Sequence, residues 1–211
     1  MFAVAALVLA VSLPTARVDG AGPRAAEART PFGAGAAPSS VVVKGALTVV
    51  VTVGAPQVTV TAEKNLQAMV TVEVVGGALQ IQTVGEPVSN KGVVVAVRLP
   101  SLSTVKLQGA VRFSGTLAGD AAVELGGASE LTADGNPRSL SITAKGASSL
   151  HAAALKTGTV TLTVSGAANV ELGLCDSLTI AGNGVGKVRY RGAPKITSKA
   201  SGTVKVSKAA P

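Results

Sequence analysis

Residues 140–150 read LSITAKGASSL and residues 160–170 read VTLTVSGAANV, two successive copies of one pattern. In each copy apolar and polar residues alternate before a glycine, Gly146 or Gly166, and an apolar residue stands four positions after that glycine. A period of two is typical of a β-strand, because successive side chains of a strand point to opposite faces. Each copy is therefore predicted to form a strand, a glycine corner and a second short strand.

The pattern continues in both directions along the chain. Its glycine recurs at a nearly constant interval, at Gly109, Gly127, Gly146, Gly166, Gly184 and Gly202. A unit this short cannot bury its own apolar face, so the copies must stack. Roughly 19 residues at about 3.3 Å each give a contour near 60 Å, which suits one turn of a narrow coil. We predict an all-β parallel β-helix, a solenoid with coils of about 18–20 residues.

Stacking in this register predicts two buried columns of apolar side chains. The column four positions before the glycine comprises Val105, Val123, Ile142, Leu162 and Ile180, and the column four positions after it comprises Phe113, Leu131, Leu150, Val170 and Val188. The same register places Lys106 beside Glu124 and Arg112 beside Glu130, so an ion pair between coils is expected at each place.

The chain before the repeats divides into a leader, a linker and an irregular first part of the domain. Residues 2–13 form an uncharged apolar stretch, which is too short to span a bilayer and typical of a secretory signal peptide. A buried first strand is the alternative. We predict a signal peptide at 1–21, a flexible linker rich in Ala, Gly, Pro and Arg at 22–40, and one β-helical domain at 41–211. The irregular strands from residue 41 to residue 99 are expected to cap one end of the stack.

Positive charge is concentrated at the C-terminal end of the chain. The net charge is +8, and Asp176 is the last acidic residue. The candidate patch for an anionic polymer comprises Lys187, Arg189, Arg191, Lys195, Lys199 and Lys205. The alternative is that these charges protect an open sheet edge from aggregation. Nucleic acid is a poor candidate ligand, because aromatic residues make up 2% of the chain and Tyr190 is expected to be largely buried.

The sequence contains no constellation that points to catalysis, a cofactor or a metal. It has one histidine, His151, expected to face solvent, and one cysteine, Cys175, expected to be partly buried in a turn. Asp120 and Asp176 fall in the same turn region, but three coils separate them, about 14 Å at the spacing of parallel strands. We therefore predict no catalytic, cofactor-binding or metal-binding residues, and not an enzyme.

Several segments in order along the chain resemble the bacterial head GIN domain family (DUF2807), a putative auto-transporter adhesin. They include Val58–Asn65 (VTVTAEKN), Val97–Leu102 (VRLPSL) and Val188–Pro194 (VRYRGAP). The resemblance implies a right-handed parallel β-helix and an exported location, and it identifies residues 41–211 as the head GIN domain. The chain departs from the family in its corners, which read Gly-Ala where Gly-Ser is usual.

Together these observations predict an exported, non-catalytic binding or adhesion module in the periplasm, on the outer surface or secreted. It would present a flat face lined by Ser, Thr and Lys to a cell-envelope or extracellular polymer. The partners expected are envelope polysaccharide or another envelope protein, with no nucleic acid and no integral membrane span after removal of the signal. The alternative is a structural or protein-interaction module of the periplasm that partners a signalling system, and a polysaccharide-acting enzyme is third.

Overall fold

The computed structural model describes residues 26–31, 37–62, 66, 68–85 and 92–209. Fifteen strands within these ranges belong to one sheet. Their bounds are β1 Ala26–Pro31, β2 Ser40–Val53, β3 Gln57–Ala62, β4 Val70–Val75, β5 Ala78–Thr83, β6 Val94–Leu99, β7 Thr104–Leu117, β8 Asp120–Gly127, β9 Glu130–Gly135, β10 Ser139–Ala144, β11 Ala147–Val164, β12 Ala167–Gly182, β13 Val185–Arg191, β14 Lys195–Ala200 and β15 Thr203–Lys208.

The sheet winds into a parallel β-solenoid with two principal faces. Face A stacks the first part of β2 and of β7, then β8, β10, the second halves of β11 and β12, and β14. Face B stacks the second part of β2 and of β7, then β9, the first halves of β11 and β12, β13 and β15. All these pairings are parallel, which confirms the predicted parallel β-helix.

Both predicted apolar columns lie inside the solenoid. Strand pairing places Val105 beside Val123, Val123 beside Ile142, and so on to Ile180. The second column runs from Phe113 to Val188 in the same way. No side chain of either column is more than 3% exposed. The predicted register is therefore confirmed over five coils.

The repeated glycines form a column in which backbone touches backbone. A Cβ added to Gly127 would lie 2.7 Å from the carbonyl oxygen of Gly109, and one added to Gly146 would lie 2.5 Å from that of Gly127. The same contact recurs for Gly109 on Gly45, Gly166 on Gly146, Gly184 on Gly166 and Gly202 on Gly184. Glycine recurs here because successive coils approach too closely for any side chain.

The irregular first part of the domain forms one end of the stack. Strand β2 pairs with β7 in the repeat register, Val41 beside Val105, although four other strands lie between them in the chain. These intervening strands, together with β1, extend both faces beyond β2. On face A, β5 adds in parallel and β4 antiparallel to it; on face B, β6 adds in parallel, followed by antiparallel β3 and β1.

Strand β1 lies within the segment predicted to be a flexible linker, residues 22–40. Residues Ala26–Pro31 pair with β3 in antiparallel register because the free backbone edge of β3 accepts any extended segment, whatever the period of its side chains. The predicted signal peptide at 1–21 lies outside the described residues.

Candidate functional site

Face A carries a regular array of hydroxyl groups over β10, β11 and β12. The inward residues of these strands, such as Ile142 and Leu162, are fully buried, so the residues between them point outward. Three outward rows are in register: Ser139, Thr159 and Ser177; Ser141, Thr161 and Thr179; Thr143, Thr163 and Ala181. We call these nine positions, eight of which carry a hydroxyl, the hydroxyl lattice.

The spacing of the lattice is set by the backbone. Neighbouring rows along a strand are separated by roughly 6.6 Å, the rise of two strand positions, and neighbouring coils by about 4.8 Å. Pairing is unbroken from β8 through β14 on this face. β-Bulges bend strands locally, and the described pairing on this face contains none, so we infer that the surface under the lattice is even.

Most of the lattice hydroxyls are free to meet a ligand. Ser139 donates a hydrogen bond to Asp120 Oδ1 at 2.8 Å, and Ser177 donates one to Thr159 Oγ1 at 3.3 Å. Within the described part of the chain, the structure gives no side-chain hydrogen bond to the hydroxyls of Ser141, Thr143, Thr161, Thr163 and Thr179. These groups can donate and accept toward solvent or a ligand.

A three-residue charge cluster borders the lattice on its N-terminal side. Glu124 Oε1 accepts a hydrogen bond from Lys145 Nζ at 3.0 Å, and Glu124 Oε2 lies 3.6 Å from Lys106 Nζ. The hydrogen bond from Lys145 and the two positive charges hold the pKa of Glu124 below its usual range. The contact between Lys106 and Glu124 was predicted from the register and is confirmed.

A shallow depression of about 130 Å³ lies beside this cluster. Its walls include Thr104, Lys106, Glu124 and Ser141. The depression lies over Ala122, whose neighbours in the same row are Thr104 and Ser141. The side chain of Ala122 is smaller than either neighbour, so the surface is lower at this position.

Face B carries a ladder of charged side chains instead. Arg112 Nε lies 3.3 Å from Glu130 Oε2, confirming the second predicted ion pair, and Arg189 Nη1 lies 3.1 Å from Glu171 Oε1. His151 lies between them, with Nε2 3.7 Å from Glu130 Oε1 and Nδ1 3.5 Å from Glu171 Oε2. The side chain of His151 is 44% exposed, as its outward position predicts.

The contacts of His151 with Glu130 and Glu171 were not predicted from the sequence, although the repeat register could have indicated the contact with Glu171. His151, Glu171 and Arg189 each stand five positions after a repeat glycine, so stacking places them in one column. The two ring nitrogens face different carboxylates and cannot chelate one ion together. Across the described ranges, no cluster of three or more His, Cys, Asp or Glu side chains could hold a metal.

The structure divides the six predicted patch residues between two faces. Lys187 and Lys205 are neighbours on face B, and Arg189 beside them is engaged by Glu171. Lys195 and Lys199 stand on strand β14 of face A, and Arg191 ends strand β13. Tyr190 is partly buried against the core rather than largely buried, because β15 is the last strand that covers it.

A second, larger cleft of about 720 Å³ lies along the edge where β11 and β12 pass from face B to face A. Its walls include Arg138, Lys156 and Asp176, together with Cys175, which is 8% exposed. Burial, and to a lesser degree the Asp176 carboxylate, raises the pKa of the Cys175 thiol. A thiol held in its protonated form is a poor nucleophile. Asp176 is the single carboxylate among the lining residues.

The predicted separation of Asp120 from Asp176 also follows from the register. Asp120 is in line with Ser139, Thr159 and Ser177, the residue after Asp176. The Asp120 carboxylate accepts a hydrogen bond from Ser139 and forms an ion pair with Arg138, whose Nη2 lies 3.8 Å from Oδ2.

Among the described residues, no helix has the length and apolarity needed to cross a membrane.

Comparison with known proteins gives a family match and a set of similar folds. A family model described as "Putative auto-transporter adhesin, head GIN domain" matches residues 37–194. A crystal structure of a putative adhesin from Bacteroides fragilis is 15% identical, with a TM-score of 0.62 over 89% of this chain and 100% of its own. No curated protein matches the sequence.

Two further solved structures are more distant. A putative adhesin from Parabacteroides merdae is 18% identical, with a TM-score of 0.47 over 89% of this chain and 97% of its own. A putative lipid binding protein from Parabacteroides distasonis is 17% identical, with a TM-score of 0.46 over 91% of this chain and 100% of its own. At these identities the likeness concerns the fold alone.

Proposed function

This chain belongs to the head GIN domain family (DUF2807), and from that premise we propose that it is an exported, non-catalytic binding module of the adhesion type. It presents face A to a polymer of the cell envelope or the extracellular space. The observation that carries the proposal is the hydroxyl lattice, because five of its hydroxyls point outward and make no side-chain hydrogen bond within the described part of the chain. The adhesin descriptions of the family and of its structural relatives agree with this role.

The arrangement of polar groups favours binding over turnover. General acid–base chemistry needs a positioned proton donor or acceptor at the reacting atom, and glycoside hydrolysis usually needs two carboxylates. Glu124, the carboxylate beside the free hydroxyl of Thr143, is engaged by Lys145 and Lys106, and the larger cleft offers one carboxylate, Asp176. Both surfaces can hold a ligand without activating it.

The direct test is retention of the full chain on envelope fractions and on immobilised polymers. Thr161→Glu combined with Thr179→Glu adds bulk and charge to the middle row of the lattice, and retention should fall at least tenfold. Thr132→Glu, at an exposed position on β9 of face B, is the matched control and should bind as the parent does. Equal retention of both variants would place the contact elsewhere, and no retention on any polymer or fraction would overturn the proposed function.

The basic end can add attraction when the polymer is anionic. Lys187 and Lys205 are neighbours across β13 and β15, and no carboxylate among the described residues pairs with either. Replacing both with Gln should weaken binding to an anionic polymer, and salt should weaken binding of the parent because exposed charges are screened beyond about 8–10 Å. If binding is unchanged and the variant aggregates, the charges serve as edge protection.

The alternative role is that of a protein-interaction module. Strands β14 and β15 support it, because each pairs with only one neighbour within the described structure and an added strand from another protein could extend the sheet. Specific capture of an envelope protein that survives the face A double variant would favour this alternative over polymer binding.

A further inference from the structure

Resting on the proposed function, we propose that face A recognises the ordered surface of an uncharged polysaccharide, across several parallel chains at once. A single soluble chain is not its ligand. The inference deepens the proposal by naming the chemical class and the physical state of the polymer, and it follows from the charge, shape and regularity of the hydroxyl lattice.

The charge distribution favours a neutral ligand. The nine lattice positions carry eight hydroxyls and the methyl group of Ala181. At the border toward β8, Glu124 is balanced by Lys106 and Lys145, and Asp120 is paired with Arg138. At the opposite border the rows continue into β14, where Lys195 and Lys199 stand beside Ser177 and Ala181. An anionic polymer lying across the three central coils would meet no cation at the lattice positions themselves, whereas the hydroxyls of a neutral sugar could exchange hydrogen bonds with them.

The shape of the face favours a surface over a single chain. Sites that grip one flexible chain enclose it in a concave pocket with apolar or aromatic walls. No aromatic residue stands among the lattice positions, and Phe113 is buried in the core. A chain on an even sheet would be contacted from one side only. A hydroxyl contact makes only a small net contribution to binding, so a few such contacts do not offset the cost of immobilising one flexible chain.

Multiplicity changes this balance. The lattice repeats in two directions, along the strands and across the coils, so it can meet a ligand that also repeats in two directions. Once one chain of an ordered surface is engaged, contacts to its neighbours form at high effective concentration. A rigid ligand also lowers the entropic cost of binding, because its chains are already ordered before they meet the protein.

The lattice is held rigid before any ligand arrives. Most of its hydroxyls belong to threonines, and β-branched side chains have few χ1 rotamers. These threonines are Thr143, Thr159, Thr161, Thr163 and Thr179. The inward residues between them, including Leu162 and Ile180, are fully buried in the stacked columns. Face A can therefore act as a preformed template.

The experiment compares one sugar in two physical states. The full chain is incubated with crystalline cellulose and with crystalline chitin, and soluble cello- and chito-oligosaccharides serve as competitors. We expect retention on at least one of the two solids, insensitive to 1 M salt and not displaced by millimolar oligosaccharide. Thr161→Lys with Thr179→Lys should weaken retention at least tenfold, while Asn169→Lys on face B should leave it unchanged.

The outcomes separate this inference from the proposed function. Displacement by soluble oligosaccharide would show that one chain suffices and would overturn the inference alone. The same holds for retention only on an anionic polymer such as alginate, abolished by salt and untouched by the lattice variants, because binding would then use the basic end. Absence of retention on both solids overturns the inference, and absence on every polymer and envelope fraction overturns the proposed function as well.

Discussion

At the scale of single residues, Ser148 is a buried polar side chain whose hydrogen-bonding capacity is not satisfied among the described residues. It is 3% exposed, and its hydroxyl has no hydrogen-bond partner in the described structure. Ala168 occupies the same position in the next coil. An unsatisfied buried hydroxyl costs about 1–3 kcal/mol, so Ser148→Ala should raise the free energy of unfolding by about 1 kcal/mol in urea titrations. Ser149→Ala, its outward neighbour, should change it by less than about 0.5 kcal/mol, and a loss of stability in Ser148→Ala would contradict the argument.

The glycine column allows two causes of destabilisation to be measured separately. Gly146 has a φ of +80° and no room for a Cβ, Gly166 lacks the room but has an ordinary φ, and Gly76 has a φ of +58° with open space around it. Gly76→Ala should therefore cost about 1 kcal/mol from backbone strain alone, because an L-residue with a Cβ is disfavoured in the left-handed region. Gly166→Ala should cost more, through the clash with the coil below, and Gly146→Ala should cost most. An equal loss in all three, measured by chemical denaturation, would contradict this order.

The sequence predicts the positions of the column glycines and the outward direction of His151, but it does not predict the contacts that these residues make. The positions of the column glycines were evident from the sequence, but the reason why glycine is required there was not. Glycine is expected both at a corner and where two backbones touch, so the sequence does not distinguish the two causes. The outward direction of His151 followed from Leu150, whereas its contact with Glu130 depends on a diagonal reach between coils that no fixed spacing encodes.

At the scale of strands, the cluster around Glu124 links three successive coils on face A. The folded-state pKa of Glu124 is lowered, so its charge contributes stability above the unfolded-state pKa, and this contribution is lost as pH falls through the folded-state pKa. Glu124→Gln should therefore destabilise the protein at neutral pH by a small amount and flatten the loss of stability on acidification. Asp134→Asn is the control, since Asp134 is exposed and has no ion pair among the described residues. Parallel pH curves for the parent and Glu124→Gln would contradict the assignment.

Strand positions were predictable wherever the period of two met the repeat. The core columns and the outward Ser and Thr residues of β10 and β11 followed from alternation alone. Strand β1 did not, because Ala26–Pro31 is held by the edge of β3, and its alternation is confined to four residues whose apolar members are alanines. Which hydroxyls of face A would stay unpaired also could not be predicted, since Ser139 and Ser177 differ from Ser141 only in the neighbours that they reach.

At the scale of the whole molecule, the two ends of the stack differ. The N-terminal end finishes in the antiparallel strands β4 and β1, and the C-terminal end finishes in the parallel strands β14 and β15; each of these four strands has one neighbour in the described structure. None of the described side chains of β14 and β15 is buried. Stability within a solenoid is a sum over neighbouring units, so the last coil should open more readily than the central coils. Amides of β14 and β15 should exchange with solvent orders of magnitude faster than those of β10 and β11. Uniform protection along the chain would mean that a further element covers this end.

The pairing of β2 with β7 has a consequence for how the chain reaches this structure. Within the repeats, each strand pairs with its counterpart in the next coil along the chain, but Val41 and Val105 must meet across a loop that contains β3 to β6. The entropy of closing this longer loop adds about 1 kcal/mol to the barrier for that step. The regular coils from β7 onward should therefore nucleate folding, and β2 with its cap should dock later, onto a template whose glycine column and apolar columns are already in place.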